Sequence, residues 1–116
     1  MNILLTGGAG YIGGTLCEML LEKKNRVICL DRFYFGHESI SHLVNNPDFS
    51  FIQKDIRTLT VKDLKGTDAV IDLAGISNDP ACDLDKNLTD SINHLGTVHV
   101  AKVTKEAGIS RYILAS

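Results

Sequence analysis

The chain has 116 residues, room for one domain, and its 44% apolar and 22% charged residues suit a globular core rather than a disordered or fibrous chain. Twelve Lys and Arg against fourteen Asp and Glu leave a net charge of -2, so no bulk positive field favours nucleic acid or an anionic membrane. Apolar runs such as Val27–Leu30 do not exceed four residues, whereas a spanning helix needs roughly 20. The first residues also lack the charged n-region and cleavage site of a signal peptide. Cys17, Cys29 and Cys82 are odd in number and widely spaced. They suit neither a disulfide framework nor a zinc site and point to a reducing, cytoplasmic compartment.

Asn2–Thr6 is an apolar run closed by glycines and predicts a buried strand. Ile12, Leu16, Met19 and Leu20 then recur at helical spacing up to Lys23 and Lys24. Arg26–Asp31 is a second β-rich run, and Glu38–Asn46 predicts a short helix stopped by Pro47. Phe49–Lys54 predicts a third strand, with Phe49, Phe51 and Gln53 on one side. Thr60 and Asp63 have capping-box spacing for a short helix ending at Gly66. Ala69–Leu73 is a fourth strand. After a polar loop over Gly75–Lys86, Asn87 and Asp90 signal a helix start. Leu88, Ile92, Leu95, His99 and Val103 keep one face of that helix, Gly108 stops it, and Arg111–Ala115 is a fifth strand. Strands alternating with helices predict right-handed βαβ units and a doubly wound parallel sheet.

The segment Thr6-Gly7-Gly8-Ala9-Gly10-Tyr11-Ile12-Gly13 joins the first strand to the first helix. A phosphate arriving there meets free main-chain N–H groups and the positive end of the helix dipole, and glycines keep side chains out of its path. Gly13 lets the helix lie close to the strand. Gly8, Gly13 and Thr15 also approach the phosphate-loop pattern, but Gly14 stands where that loop carries lysine. Without the ammonium, nucleoside triphosphate hydrolysis is not supported, whereas a dinucleotide's pyrophosphate needs no such lysine. Asp31 ends the second strand, 18 residues after Gly13. A carboxylate there accepts from the ribose hydroxyls and repels a 2′-phosphate, which favours NAD over NADP, while the neighbouring Arg32 could pair with such a phosphate.

Together with Asp55-Ile56-Arg57, Leu73-Ala74-Gly75, Ile92-Asn93-x-x-Gly96-Thr97 and Arg111–Ser116, these motifs follow in one order over the whole chain. In that order the chain resembles the N-terminal half of an extended short-chain dehydrogenase/reductase of the nucleotide-sugar epimerase/dehydratase group. The resemblance implies a Rossmann-type sheet of five strands in the order 3-2-1-4-5, an α/β fold in which 1–116 is one NAD-binding domain ending after the fifth strand. It implies main-chain contacts to the pyrophosphate from Gly7, Gly10, Tyr11, Ile12 and Gly13, and a hold on the adenosine ribose by Asp31 with Arg32. Asp55 and Ile56 would flank the adenine, Leu73, Ala74 and Gly75 would pass beneath the nicotinamide-side ribose, and Asn93 would project toward the cofactor. Ser77 and Asn78 would be contacts for a nucleotide-sugar substrate.

The chain departs from the family pattern at Asp72, where histidine is frequent, and at Gly75, where alanine is frequent. Family catalysis uses a Ser/Thr just after the fifth strand and a Tyr-x-x-x-Lys pair, and the sequence stops at Ser116 before them. Tyr11, Tyr34 and Tyr112 are not followed four residues later by Lys. The expectation is therefore the cofactor-binding part of an NAD-dependent epimerase or dehydratase, without turnover of its own and with a homodimer as a possible state. A non-catalytic dinucleotide-sensing module and part of a reductase of a non-sugar carbonyl compound stay open as alternatives. Ser77-Asn78-Asp79-Pro80 with Asp83 and Asp85 reads as a hydrophilic rim with a capping role rather than a metal loop. His37, His42, His94 and His99 have no metal-ligand spacing, so no metal is expected. Cys29 is expected in the core. The fifth strand is expected to be an edge that leaves Tyr112, Ile113 and Leu114 partly uncovered.

Overall fold

A computed structural model describes residues 1–7, 11–32, 38–73 and 86–115. Its strands are β1 (Asn2–Thr6), β2 (Arg26–Asp31), β3 (Phe49–Gln53), β4 (Ala69–Asp72) and β5 (Arg111–Leu114). All pair in parallel, in the order β3-β2-β1-β4-β5. This is the doubly wound arrangement expected from the alternation of elements. Leu4 lies opposite Ile28 on one side and Val70 on the other, so β1 is the sheet's centre. A central parallel strand is covered on both faces, which is why Ile3, Leu4, Leu5 and Thr6 are all buried.

Two helices cross over, α1 (Tyr11–Glu22) and α2 (Lys86–Glu106), one on each face of the sheet. The core beneath α1 gathers Leu5, Cys17, Val27, Cys29 and Phe49, with Ile40 and Leu43 from the 3-10 helix Glu38–Leu43. The core beneath α2 gathers Leu4, Leu30, Val70, Val100 and Val103, with Leu59 and Leu64 from the connection between β3 and β4. Cys29 is fully buried, as expected, and so is Cys17; neither is in a disulfide.

The inward faces of both helices match apolar spacing only in part: Leu16, Leu20 and Val103 pack inward as read. On α1, Ile12 and Met19 point outward, and Gly13, Gly14 and Cys17 face the sheet. On α2, Leu95 and Val98 are exposed, and Gly96, Val100, Val103 and Thr104 are buried. Small residues permit the close approach of helix to sheet, and hydropathy gives them little weight. The segment expected to be α-helical over Glu38–Asn46 is 3-10 and ends at Leu43. Asn46 then turns the chain, its Oδ1 accepting from the Asp48 N–H at 2.9 Å. Helix α2 begins at Lys86, which places Asn87 inside its first turn instead of ahead of it.

The capping signal at Thr60 is realised: its N–H and hydroxyl both donate to Asp63 Oδ2, at 2.9 and 3.1 Å, opening the 3-10 helix Val61–Leu64. Gly66 and Gly108 terminate their helices with φ of 80° and 76°, the left-handed region that a side chain disfavours. Strand β5 is an edge, with Tyr112 half-buried and Ile113 and Leu114 exposed at 57% and 47%.

Candidate cofactor site at the carboxyl edge of the sheet

Parallel strands deliver their carboxyl ends to one edge, and the order reverses between β1 and its neighbours β2 and β4. Ligands of open α/β sheets bind at such a switch point. Here the end of β1 is held on both sides: the Gly7 N–H donates to Leu30 O at 2.9 Å and the Leu73 N–H to Thr6 O at 3.0 Å. Gly7 leaves the sheet with φ of 73°. That conformation is open to glycine and costly for residues with a Cβ, so the first glycine of the motif is required by the turn itself. Helix α1 starts at Tyr11 with its N-terminus at this edge, and buried Gly13 and Gly14 let it settle on the sheet. Ile12, at that helix end, is 58% exposed.

Asp31 closes β2 in register with Gln53, half-buried, and its carbonyl accepts the Lys54 N–H at 2.9 Å. Arg32 follows and turns its guanidinium toward Asp55, with 3.6 Å between Nη1 and Oδ2. Asp55 stands just past β3 as the N-cap of the 3-10 helix Ile56–Thr58. Its Oδ1 accepts the Arg57 N–H at 2.9 Å, and its Oδ2 accepts Arg57 Nη2 at 2.7 Å. The Arg57 hydrogen bonds, outweighing the burial that opposes them, hold the Asp55 carboxyl below its ordinary value. Ile56 packs against the core beneath α2, and Leu73 is buried just past β4.

The structure therefore brings Gly7, Asp31, Asp55, Ile56 and Leu73 to the ends of four adjacent strands or the segments that leave them, with Gly13 in the first turn of α1. Gly10, Ala74, Gly75, Ser77 and Asn78 lie outside the described residues, as do the side chains of Tyr11 and Asn93. Among the described residues no group of three or more His, Cys, Asp or Glu could hold a metal ion, and no helix is long and apolar enough to cross a membrane.

One polar cluster was not read from the sequence. Asp72, fully buried at the end of β4, accepts from Thr6 Oγ1 at 2.7 Å and from the Tyr112 hydroxyl at 3.0 Å. It ties β1, β4 and β5 together directly below the candidate site. Burial, and after it the Asp72 carboxylate, push the Tyr112 phenol up from its ordinary value. That is opposite to the lowered pKa that a proton-exchanging tyrosine needs, so Tyr112 is a structural donor. An Asp in the apolar strand Ala69–Asp72 is the available sequence signal, because a buried carboxylate needs donors.

A second ion pair supports the neighbouring connection. Lys54 Nζ lies 2.6 Å from Asp63 Oδ2, the oxygen that Thr60 also caps. Burial acts to raise the Asp63 carboxyl, but the bonds from Lys54 and Thr60 prevail and lower it. A lowered folded-state pKa stabilises the native state above the unfolded value, and that contribution fades as pH falls through the folded value. Asp63→Asn is thus expected to cost about 1–2 kcal/mol at pH 7. Urea denaturation repeated at successively lower pH should show that difference begin to shrink once pH falls below the unfolded Asp value near 3.9.

The model of the NAD dependent epimerase/dehydratase family matches residues 3–116. UDP-glucuronic acid decarboxylase 4 of Arabidopsis thaliana is 28% identical over 117 aligned positions, which take in 100% of this chain and 26% of that protein. Among solved structures, the dTDP-glucose 4,6-dehydratase DesIV of Streptomyces venezuelae, determined with NAD bound, superposes with a TM-score of 0.84 at 27% identity. That match covers 97% of this chain and 38% of DesIV. WbmG of Bordetella bronchiseptica, in complex with NAD, superposes with a TM-score of 0.80 at 28% identity, over 98% of this chain and 36% of WbmG. The chain thus spans about a quarter of the length of the curated relatives it matches and under two-fifths of these solved chains.

Proposed function

The chain belongs to the NAD dependent epimerase/dehydratase family, and from that premise we propose that it is the NAD-binding domain of an enzyme acting on a nucleotide-activated sugar. The observation that carries this reading is the convergence of Gly7, Asp31, Asp55 and Leu73 on one sheet edge, at the switch point of the strand order. A dinucleotide fits the donors and acceptors there. Main-chain N–H groups at the start of α1 would face the pyrophosphate, with Gly10, Tyr11, Ile12 and Gly13 along its path. The Asp31 carboxylate would accept from the adenosine ribose hydroxyls. Asp55 and Ile56 would border the adenine, Leu73 to Gly75 would underlie the nicotinamide-side ribose, and Asn93 would face the cofactor from α2.

NAD, when bound, supplies a ring that can take a hydride from a sugar carbon and return it. The protein's own part is to orient that ring and to keep water from it. Relatives acting on UDP- and dTDP-linked sugars support a substrate of that class, with Ser77 and Asn78 as its proposed contacts. They also support isomerase or oxidoreductase chemistry in the whole protein. Cys17 and Cys29, buried and not joined in a disulfide, support a reducing, cytoplasmic setting. A homodimer would cover Leu95 and Val98, which α2 leaves exposed.

Arg32 faces Asp55, and Asp31 would repel a 2′-phosphate. Calorimetric titration is therefore expected to show NAD binding at least about ten-fold tighter than NADP, a difference of roughly 1.4 kcal/mol. A preference for NADP, or no binding of either dinucleotide, would count against the reading.

A further inference from the structure

We infer that Gly96 is a positioning residue for the adenine end of the cofactor site: by lacking a Cβ it lets Ile56 lie against α2, and so fixes where Asp55 stands. The inference rests on the proposed placement of adenine beside Asp55 and Ile56. Its starting observation is a glycine deep inside a 21-residue helix, where the residue is disfavoured relative to alanine and so calls for a packing reason.

The reason is steric. A Cβ built on Gly96 would lie 3.0 Å from Ile56 Cγ1 and closer still to Ile56 Cδ1, with Arg57 Cγ at 3.9 Å. The approach to Cδ1 is closer than side chains tolerate and that to Cγ1 is tighter than usual, so something must move. Ile56 is β-branched and stiff at χ1, and it packs into the core formed with Leu59, Leu64 and Val100. Clearing Cδ1 from α2 within that packing therefore draws on the Ile56 backbone. Asp55 is the preceding residue, and its carboxylate is bonded to the Arg57 N–H. The same displacement would carry the carboxylate with it.

One turn along the same face of α2, His99 supplies a second hold. Its Nε2 donates to Leu59 O at 2.8 Å, where Leu59 is buried just past the end of the short helix. The segment from Asp55 to Leu59 is thus seated in a notch at Gly96 and clasped at His99. Helix α2 serves as its template, and neither contact involves the glycine-rich turn.

The test is calorimetric titration of NAD and of ADP, which shares the adenosine and pyrophosphate, into the full-length protein and its variants. Gly96→Ala is expected to weaken both ligands about ten-fold, the scale of overpacking a tight core by one methyl. Ile56→Val removes the Cδ1 methyl that the new Cβ would meet. Gly96→Ala/Ile56→Val is therefore expected to bind both ligands within about three-fold of Ile56→Val alone, which carries whatever the lost methyl costs at the adenine, since volume-conserving exchanges are tolerated. A merely destabilising alanine would lower the melting temperature and leave both affinities of the folded protein at the parental level. Parent-like binding by Gly96→Ala overturns the inference, as does a double variant that stays weaker than Ile56→Val or unfolded. A parent that binds neither NAD nor ADP overturns the functional reading itself, which separates the two failures.

Discussion

Gly7→Val is expected to lower NAD affinity at least about a hundred-fold and to lower the melting temperature by roughly 5–10 °C. The stability part follows from the backbone. Gly7 sits at φ of 73°, and its N–H is held by Leu30 O while the next strand bonds to Thr6 O. Pinned from both sides, the turn cannot relax to a conformation that a β-branched residue prefers, and forcing such a residue there costs about 1–2 kcal/mol. The binding part follows from space, because the main chain must come within hydrogen-bonding distance of a diphosphate and two added methyl groups would stand in the way. Gly7→Ala should fall between parent and valine variant on both scales. Calorimetry with NAD and differential scanning calorimetry without it separate the two effects. A valine variant that folds and binds NAD as the parent does would remove the glycine turn from the site.

The strand frame and the glycine turn were legible because each is written locally. Apolar runs bounded by glycine or proline mark the strands, and the alternation of strand and helix implies parallel pairing before any contact is known. The positions of Asp31 and Asp55 followed from the same frame, as residues at the ends of predicted strands. The inward faces of α1 and α2 were less legible. Their buried lines run through Gly13, Gly14 and Cys17, and through Gly96, Val100 and Thr104, while Ile12, Met19, Leu95 and Val98 look outward. Close packing selected small side chains, and apolar spacing alone rotates each helix away from that choice. The tie among Thr6, Asp72 and Tyr112 was not legible either, since it depends on the register of three strands. Asp72 lies opposite Thr6 on one side, and Tyr112 is two residues before its partner Leu114 on the other. The notch at Gly96 is likewise a meeting of segments 40 positions apart, with no local mark except an unexpected helical glycine.

Among single changes in the sheet, Asp72→Val is expected to be severe, at about 2–4 kcal/mol in urea denaturation at pH 7. The carboxylate is fully buried and receives hydroxyl donors from both neighbouring strands. Its removal leaves the Thr6 hydroxyl, itself at 0% exposure, without that acceptor in a place water does not reach. Tyr112 is half-buried, so its hydroxyl loses less. The loss should not be the intrinsic worth of the cluster, because a buried ionic group gives up its hydration on folding and its bonds only partly return it. Thr6→Val/Asp72→Val/Tyr112→Phe removes all three of these groups at once and is expected to recover most of the stability, ending within about 1 kcal/mol of the parent. If the three single changes instead add up in the triple variant, the residues are not energetically coupled and the tie is only geometric. If the triple variant recovers its stability and still binds NAD with parental affinity, the tie serves the sheet alone. A stable triple variant with weakened NAD binding would show that the three hydroxyl and carboxylate groups set the height at which the loops after β1 and β4 meet the cofactor.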